Sequence, residues 1–254
     1  MNKNSTLEND PAHAEIGIVS ALPIETGPLM SRCDRQRKYR TGRFQLRGGR
    51  YDGIRLVLIE TGLGFARARE ATELLIREHT PDWVLSCGFS GALSSDLAIA
   101  DIVVADLIRD MHGNELRIDI QMPPGPRLHV GPILVSDQMI RLVEEKQALF
   151  ERFGCVAVDM ESLAVAQVCQ EHSRRFLAIR AISDDLSVDL PPEILSIMGD
   201  TGGVRLGATV GAIWKRPSSL KDMWTLREKA NRAAARLADF LDGVVHQLAG
   251  PSNK

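Results

Sequence analysis

The feature of this chain that most constrains its fold is a regular alternation of short apolar runs with segments of helical periodicity. Apolar residues recur at helical spacing over 66–78 and 161–171, for example. Strands are predicted at 16–21, 44–47, 54–60, 83–87, 101–105, 133–136, 155–158 and 176–182. Strands that alternate with helices form largely parallel sheets covered on both faces. The pattern therefore predicts a three-layer α/β/α fold around a mixed, mostly parallel central sheet.

The rest of the chain indicates one domain. Further helices are predicted at 138–150 and 218–248, and the segment 190–211, interrupted by prolines and glycines, receives no assignment. The role of residues 187–220 is left open. No internal repeat and no Gly/Ser/Pro-rich linker divides the chain. We predict a disordered leader at 1–14, followed by a single domain over 15–250.

Composition excludes several classes of protein. Over 254 residues, 31 Lys and Arg oppose 33 Asp and Glu, and this balance argues against binding nucleic acid or anionic lipid through bulk charge. No apolar run approaches the roughly 18 residues of a membrane-spanning helix, and the polar start does not resemble a signal peptide. The four cysteines are scattered without a CxxC pair. We expect a cytoplasmic protein with reduced cysteines and without metal, nucleic-acid or membrane partners.

Ligands of α/β sheets bind where strands end, so the polar residues at those places are the candidates for function. Four such places stand out. They are Glu25, the pair Gly62 and Gly64, the run Gly88-Phe89-Ser90-Gly91, and the two clusters Asp159-Met160-Glu161 and Arg180 to Asp184.

The two glycine-containing places do not match the motifs that they approach. Arg67 stands where a dinucleotide-binding turn has its third glycine. The run that contains Ser90 lacks the spacing of a nucleophile elbow. Both are interpreted as tight turns at which backbone approaches a ligand closely.

The carboxylates allow a structural and a catalytic interpretation. A lone Glu25 in a loop is ordinarily a solvated side chain, and Asp159 and Asp184 are in positions typical of helix caps. Two acidic clusters at neighbouring strand ends, beside an apolar sheet, instead favour a site that handles positive charge or protons.

The motifs IGIVSALPIE, TGLG, PDWVLSCGFSGAL, ADIVVAD, VAVDMES and AIRAISDD occur in this order between residues 15 and 186. In that combination the chain resembles the nucleoside phosphorylase superfamily, and within it the methylthioadenosine/S-adenosylhomocysteine nucleosidase branch. The resemblance implies cleavage of the N-glycosidic bond of a purine nucleoside, with release of the free base. It implies no cofactor and a homo-oligomer in which a neighbouring subunit completes the pocket.

The resemblance also implies roles for individual residues. Glu25 is placed beside the attacking water, Glu161 at the ribose hydroxyls, and Asp184 opposite N7 of the purine as an acid whose pKa burial would raise. Further substrate contacts are expected from Phe89, Ser90, Gly91, Ile140, Asp159, Met160, Arg180 and Ser183.

Departures from the family pattern bear on the nucleophile. Ser86 stands where phosphorylases have an arginine, Phe89 where they have Ser or Thr, and Glu25 where they have Gly and Arg. A phosphate dianion needs charge-assisted donors, so water is the favoured nucleophile. A 5′-modified purine nucleosidase is the leading hypothesis. The alternatives are a phosphorylase that binds phosphate through Arg67 or Arg180, an inactive nucleoside-binding protein, and an unrelated α/β protein.

Overall fold

The computed structural model describes residues 12–123, 125–198 and 218–250, without the side chains of 196–198 and 218–223. Most of the predicted leader, most of the unassigned segment 190–211, and the segment 199–217 lie outside these ranges. The described strands are β1 (Ile16–Ser20), β2 (Asp34–Thr41), β3 (Phe44–Tyr51), β4 (Ile54–Glu60), β5 (Trp83–Ala92), β6 (Ile102–Asp110), β7 (Glu115–Arg117), β8 (Leu128–Val135), β9 (Ala157–Asp159) and β10 (Arg175–Asp184). The described helices are α1 (Pro23–Ser31), α2 (Phe65–His79), α3 (Val143–Phe153), α4 (Ser162–Glu171), α5 (Glu193–Met198) and α6 (Ser218–Ala249).

The strands form one mixed sheet in the order β10-β6-β8-β9-β5-β1-β4-β3-β2, with β7 beside β6. Strand β10 also pairs with β5, so five of these strands close into a ring. Register shifts in β10 and between β6 and β8 accompany this closure, as β-bulges do where sheets bend. Among the described strands, five pairings are parallel and five antiparallel. The predicted mixed sheet is confirmed, with a parallel centre of β4, β1, β5 and β10.

Helices cover both faces of this centre, as the three-layer prediction requires. Helices α1 and α6 pack on one face, where Leu29, Leu237 and Leu241 join a core with Leu58. Helices α2 and α4 pack on the other, where Leu75 and Val165 meet other residues of the same strands. The central strands are thus buried on both sides, which explains their continuous apolar sequence.

Strands β5 and β10 are longer than predicted, and this changes the setting of the site. They pair in parallel register from Trp83 beside Arg175 to Gly91 beside Asp184. Gly88 to Gly91, and Ser183 with Asp184, therefore lie within paired strands and not in loops beyond them. The apolar pattern of each strand ends early, at small and polar residues, but the backbone hydrogen bonds between β5 and β10 continue beyond that point.

Two elements near the start of the chain escaped sequence analysis. Helix α1 contains Pro23, Gly27 and Pro28, a composition that argues against a helix. Proline is tolerated in a first turn, where its missing N–H would have no partner. Strand β2 has almost no apolar residue, because it is an edge strand paired only with β3. Within the described ranges, no helix has the length and apolarity needed to cross a bilayer.

Candidate active site

The parallel centre brings the four candidate places to one edge of the sheet. Because β1, β4, β5 and β10 run in the same direction, their carboxyl ends lie side by side. A small cavity opens there, and its walls include three of the predicted charged residues. It is lined by Val19, Ser20, Ala21, Glu25, Thr61, Ser86, Cys87, Gly88, Phe89, Glu161 and Arg180.

Glu25 is held in this cavity by three hydrogen bonds. Its Oε2 accepts from Ser20 Oγ at 2.7 Å and from the Leu22 N–H at 2.7 Å, and its Oε1 accepts from the Phe89 N–H at 2.9 Å. A Cβ at Gly88 would lie 2.7 Å from Oε1, so only glycine leaves room for the carboxylate. Burial raises the pKa of Glu25, although these hydrogen bonds and the Arg180 charge oppose the rise. A buried carboxylate with a raised pKa is suited to accept a proton near neutral pH.

Every guanidinium nitrogen of Arg180 donates hydrogen bonds to acceptors within the protein. Its Nε and Nη2 donate to Asp159 Oδ2 at 2.8 and 2.5 Å, and Nη2 also donates to Ser86 Oγ and Ser162 Oγ. Its Nη1 donates to the carbonyl oxygens of Ser86 and Ile179. Asp159, predicted to contact substrate, uses Oδ2 on Arg180 and on the N–H and hydroxyl of Ser162. Asp159 thus accepts from the first N–H of α4, although the N-cap position itself is occupied by Glu161, and its substrate contact stays a prediction.

Glu161 faces the amino end of α2. Its Oε1 accepts from the Gly64 N–H at 2.7 Å, at the residue that caps this helix. Gly64 has φ +102°, a conformation that glycine adopts without strain. Burial, together with the nearby Asp159 charge, raises the pKa of Glu161 to about 8, while Gly64 and Arg180 partly offset the rise. Glu161 therefore keeps its proton to a higher pH than an ordinary glutamate, and in the protonated form it offers both a donor and an acceptor.

The raised pKa of Glu161 predicts a pH-dependent stability. Between the ordinary pKa of 4.5 and about 8, the native state binds more protons than the unfolded state, so the free energy of unfolding falls as pH rises. One pKa unit is about 1.4 kcal/mol, and each kcal/mol moves Tm by about 2–4 °C at this size, so a wild-type fall of ~4 °C or more is expected between pH 5 and 8. We expect Glu161→Gln to reduce that fall in calorimetry. Glu73→Gln, on the exposed side of α2, is the matched control; equal pH dependence in both variants contradicts the assignment.

Asp184 lies outside the lining of this cavity and is held by a partner that the sequence did not reveal. Its Oδ2 forms an ion pair with Nζ of Lys146, a side chain with 0% exposure near the start of α3. Its Oδ1 accepts from Ser183 Oγ at 2.7 Å. Burial of this carboxyl is expected from the sequence, whereas a buried cation beside it is not. No sequence signal distinguishes Lys146 from the solvated lysines of an amphipathic helix.

Glu25 and Asp184 lie beside different glycines of β5. Glu25 packs against Gly88, and a Cβ at Gly91 would lie 2.9 Å from Asp184 Oδ2. The two glycines are three residues apart, about 10 Å along a strand. Glu25, Glu161 and Arg180 are thus brought together, whereas Asp184 lies beside Gly91, further along the same strand and outside the cavity lining.

The other predicted contact residues occupy the same region with different exposure. Phe89 lines the cavity and packs half-buried against the core. Ser90 is buried, and its Oγ has no hydrogen-bond partner in the described part of the chain. Met160 is half-buried at the junction of β9 and α4. Ile140 packs against a separate cluster that includes Leu93 and Val158. Their substrate contacts remain predictions.

Neither phosphate nor metal has an evident site here. Arg67, the other arginine considered for phosphate, donates its Nε to the Thr61 carbonyl at 2.7 Å and is not part of the cavity lining. Arg180, which does line the cavity, already donates to Asp159, Ser86 and Ser162. In the described ranges, no three His, Cys, Asp or Glu side chains are grouped to hold a metal ion.

Comparison with known proteins agrees with this geometry. A sequence profile of the phosphorylase superfamily matches residues 15–124 and 114–196. A 5′-methylthioadenosine/S-adenosylhomocysteine nucleosidase of Maridesulfovibrio salexigens is 27% identical over 202 residues, which cover 69% of this chain and 87% of that protein. A Shewanella sp. nucleosidase of the same name is 28% identical over 215 residues, covering 74% and 93%.

Solved structures have the same fold. The nucleosidase of Neisseria meningitidis in complex with methylthio-immucillin-A superposes with a TM-score of 0.66 at 22% identity, over 91% of this chain and 97% of that one. The futalosine hydrolase of Helicobacter pylori superposes with a TM-score of 0.65 at 20% identity, over 91% and 96%. Since the profile spans well over half of the 254 residues and the fold agrees, the chain belongs to the phosphorylase superfamily.

Proposed function

We propose that this protein hydrolyses the N-glycosidic bond of a purine nucleoside with a modified 5′ position and releases the free base. The observation that carries the proposal is the cavity in which Glu25 and Glu161 stand together beside an arginine that has no donor to spare. Relatives named as 5′-methylthioadenosine/S-adenosylhomocysteine nucleosidases support the substrate class.

Glu25 has the properties of the base that activates water. It is buried, its orientation is fixed from three directions, and burial raises its pKa toward neutral pH. As water attacks C1′, Glu25 accepts the proton that the water loses. Glycosidic cleavage passes through an oxocarbenium-like sugar, and carboxylates near the ring stabilise that positive charge. We assign the ribose hydroxyls to Glu161, and its hydrogen bond from Gly64, at the amino end of α2, supports this by fixing its carboxyl group.

Asp184 acts at the other end of the substrate. When the C1′–N9 bond breaks, its electron pair passes to the purine, which is a poor leaving group as an anion. A protonated Asp184 that gives its proton to N7 lets the base depart neutral. Gly91, beside Asp184, lies three residues after Gly88, beside Glu25, at the same end of β5.

Water is favoured over phosphate as the nucleophile by the contacts of Arg180. All three of its guanidinium nitrogens already donate to Asp159, Ser86, Ser162 and backbone carbonyls. Binding a phosphate would require breaking the buried ion pair between Arg180 and Asp159. Breaking such a pair is costly in a low-dielectric site.

Base release in phosphate-free buffer tests the proposal. Methylthioadenosine, adenosine and inosine are each incubated with the protein, and free base is measured by chromatography with and without added phosphate. We expect adenine from methylthioadenosine at a rate that phosphate does not raise. Strict dependence on phosphate would establish a phosphorylase instead, and calorimetric binding without release would indicate a nucleoside-binding protein.

A homo-oligomer in the cytoplasm is the expected setting, and both points remain proposals. Ile24, which precedes Glu25, has 37% of its surface exposed at the edge of the candidate site. A neighbouring subunit that completes the pocket would cover such an apolar side chain. Light scattering coupled to size-exclusion chromatography measures the oligomeric state.

A further inference from the structure

The mechanism above leaves one buried charge unused. Lys146 has no exposed surface, and its Nζ contacts Asp184 Oδ2 and, at 3.4 Å, the Asp185 carbonyl. Lysine is almost never fully buried unless it is paired. Its acidic partner is the residue assigned to protonate the purine.

The contacts of Asp184 fix the direction of its carboxyl group. Lys146 holds Oδ2, Ser183 Oγ donates to Oδ1, and the absence of a side chain at Gly91 provides the space that Oδ2 occupies. The Lys146 side chain runs along the same glycine, with Cε 3.4 Å from a Cβ built there. Lys146 lies behind Asp184, since it has no surface from which to touch a substrate.

We propose that Lys146 is a positioning residue for leaving-group protonation: it orients Asp184 and supplies the positive charge that stabilises the carboxylate formed on proton transfer. The proposal rests on the proposed function. In the reactive complex, Asp184 carries a proton. As C1′–N9 breaks, the Asp184 O–H bond breaks, an N7–H bond forms, and the negative charge moves from the departing purine to Asp184. Lys146 faces that new charge.

This role predicts a separation of kcat from KM. The positive charge of Lys146 lies next to the negative charge that Asp184 gains in the reaction, so it lowers the free energy of the transition state more than that of the bound substrate. Replacing Lys146 by the isosteric, uncharged Met therefore lowers kcat while KM stays equal or falls. The expected loss in kcat for methylthioadenosine is about 10–100-fold, a part of the 10²–10⁴-fold that general acid catalysis contributes.

A substrate whose leaving group needs no proton distinguishes a role in leaving-group protonation from a general effect of the substitution on the structure. The 4-nitrophenyl glycoside of 5-methylthioribose releases a phenolate, which leaves without a proton. We expect Lys146→Met to retain the wild-type kcat on this aryl glycoside while losing it on methylthioadenosine. Arg69→Met removes a cation from an ion pair with Glu171 at the far surface and is the matched control, with wild-type rates on both substrates.

Each outcome bears on the assignment. Equal losses of Lys146→Met on both substrates, or an unchanged kcat for methylthioadenosine, overturn it. If Lys146→Met melts below the assay temperature, Lys146→Gln retains a donor for Asp184 without the charge and permits the same comparison. A wild type that releases neither adenine from methylthioadenosine nor nitrophenolate from the aryl glycoside contradicts the proposed function itself, and the assignment of Lys146 with it.

Discussion

Asp184→Asn is expected to lower kcat for adenine release by about 10²–10⁴-fold, the usual contribution of a general acid. An asparagine has nearly the same shape and cannot give a proton to N7. Because binding of the neutral substrate does not depend on that transfer, KM is expected to change little. Steady-state release of adenine from methylthioadenosine measures both parameters.

The control for Asp184→Asn is a double variant that removes both charges of the Asp184–Lys146 ion pair. Removing the carboxylate leaves the buried Lys146 ammonium unpaired, at a cost of about 3–5 kcal/mol in stability. The double variant Asp184→Asn/Lys146→Met removes both charges, so its Tm is expected to recover while its kcat stays low. A single variant that folds and turns over at a near-normal rate refutes the role of Asp184.

Glu25→Gln is the second substitution with a large expected effect, again about 10²–10⁴-fold in kcat. The amide cannot accept the proton of the attacking water. It also turns an NH₂ group toward one of the donors that now bind Glu25, from Ser20, Leu22 and Phe89. Base release from methylthioadenosine gives the rate, and isothermal calorimetry gives the substrate affinity.

A variant of a surface glutamate is the control for Glu25→Gln. Glu70→Gln removes a carboxylate that pairs only with the exposed Arg43, and it is expected to keep the wild-type rate. A Glu25→Gln protein that binds methylthioadenosine and hydrolyses it as fast as Glu70→Gln would show that water is activated elsewhere. A hydrogen bond to a charged group contributes about 1.5–3 kcal/mol, which is at most about 10²-fold in rate, so a larger deficit cannot come from the loss of one such bond alone.

Local sequence predicted the order of elements well and their ends poorly. Strand β4 matches its predicted bounds, and helix α2 differs by one residue at each end, because in both the apolar pattern and the hydrogen bonding stop together. Strands β5 and β10 continue past their apolar parts through Gly91 and Asp184, since each provides the other with a parallel ladder. Pairing of distant segments determines such ends, and neither segment contains that information alone.

The amino-acid sequence alone predicted the α/β class, the superfamily and the acidic residues of the candidate site. Each of these depends on the types of residue in short segments: apolar runs for buried strands, and glycines and carboxylates at the ends of strands. Only the tertiary structure decided how the charges are partnered. Arg180 is satisfied by Asp159, Ser86 and Ser162, and Asp184 is paired with Lys146, 38 residues away along the chain. An isolated lysine in an amphipathic helix has the same sequence signature whether it is solvated or buried. Packing α3 against the end of β10 is what makes Lys146 part of the site.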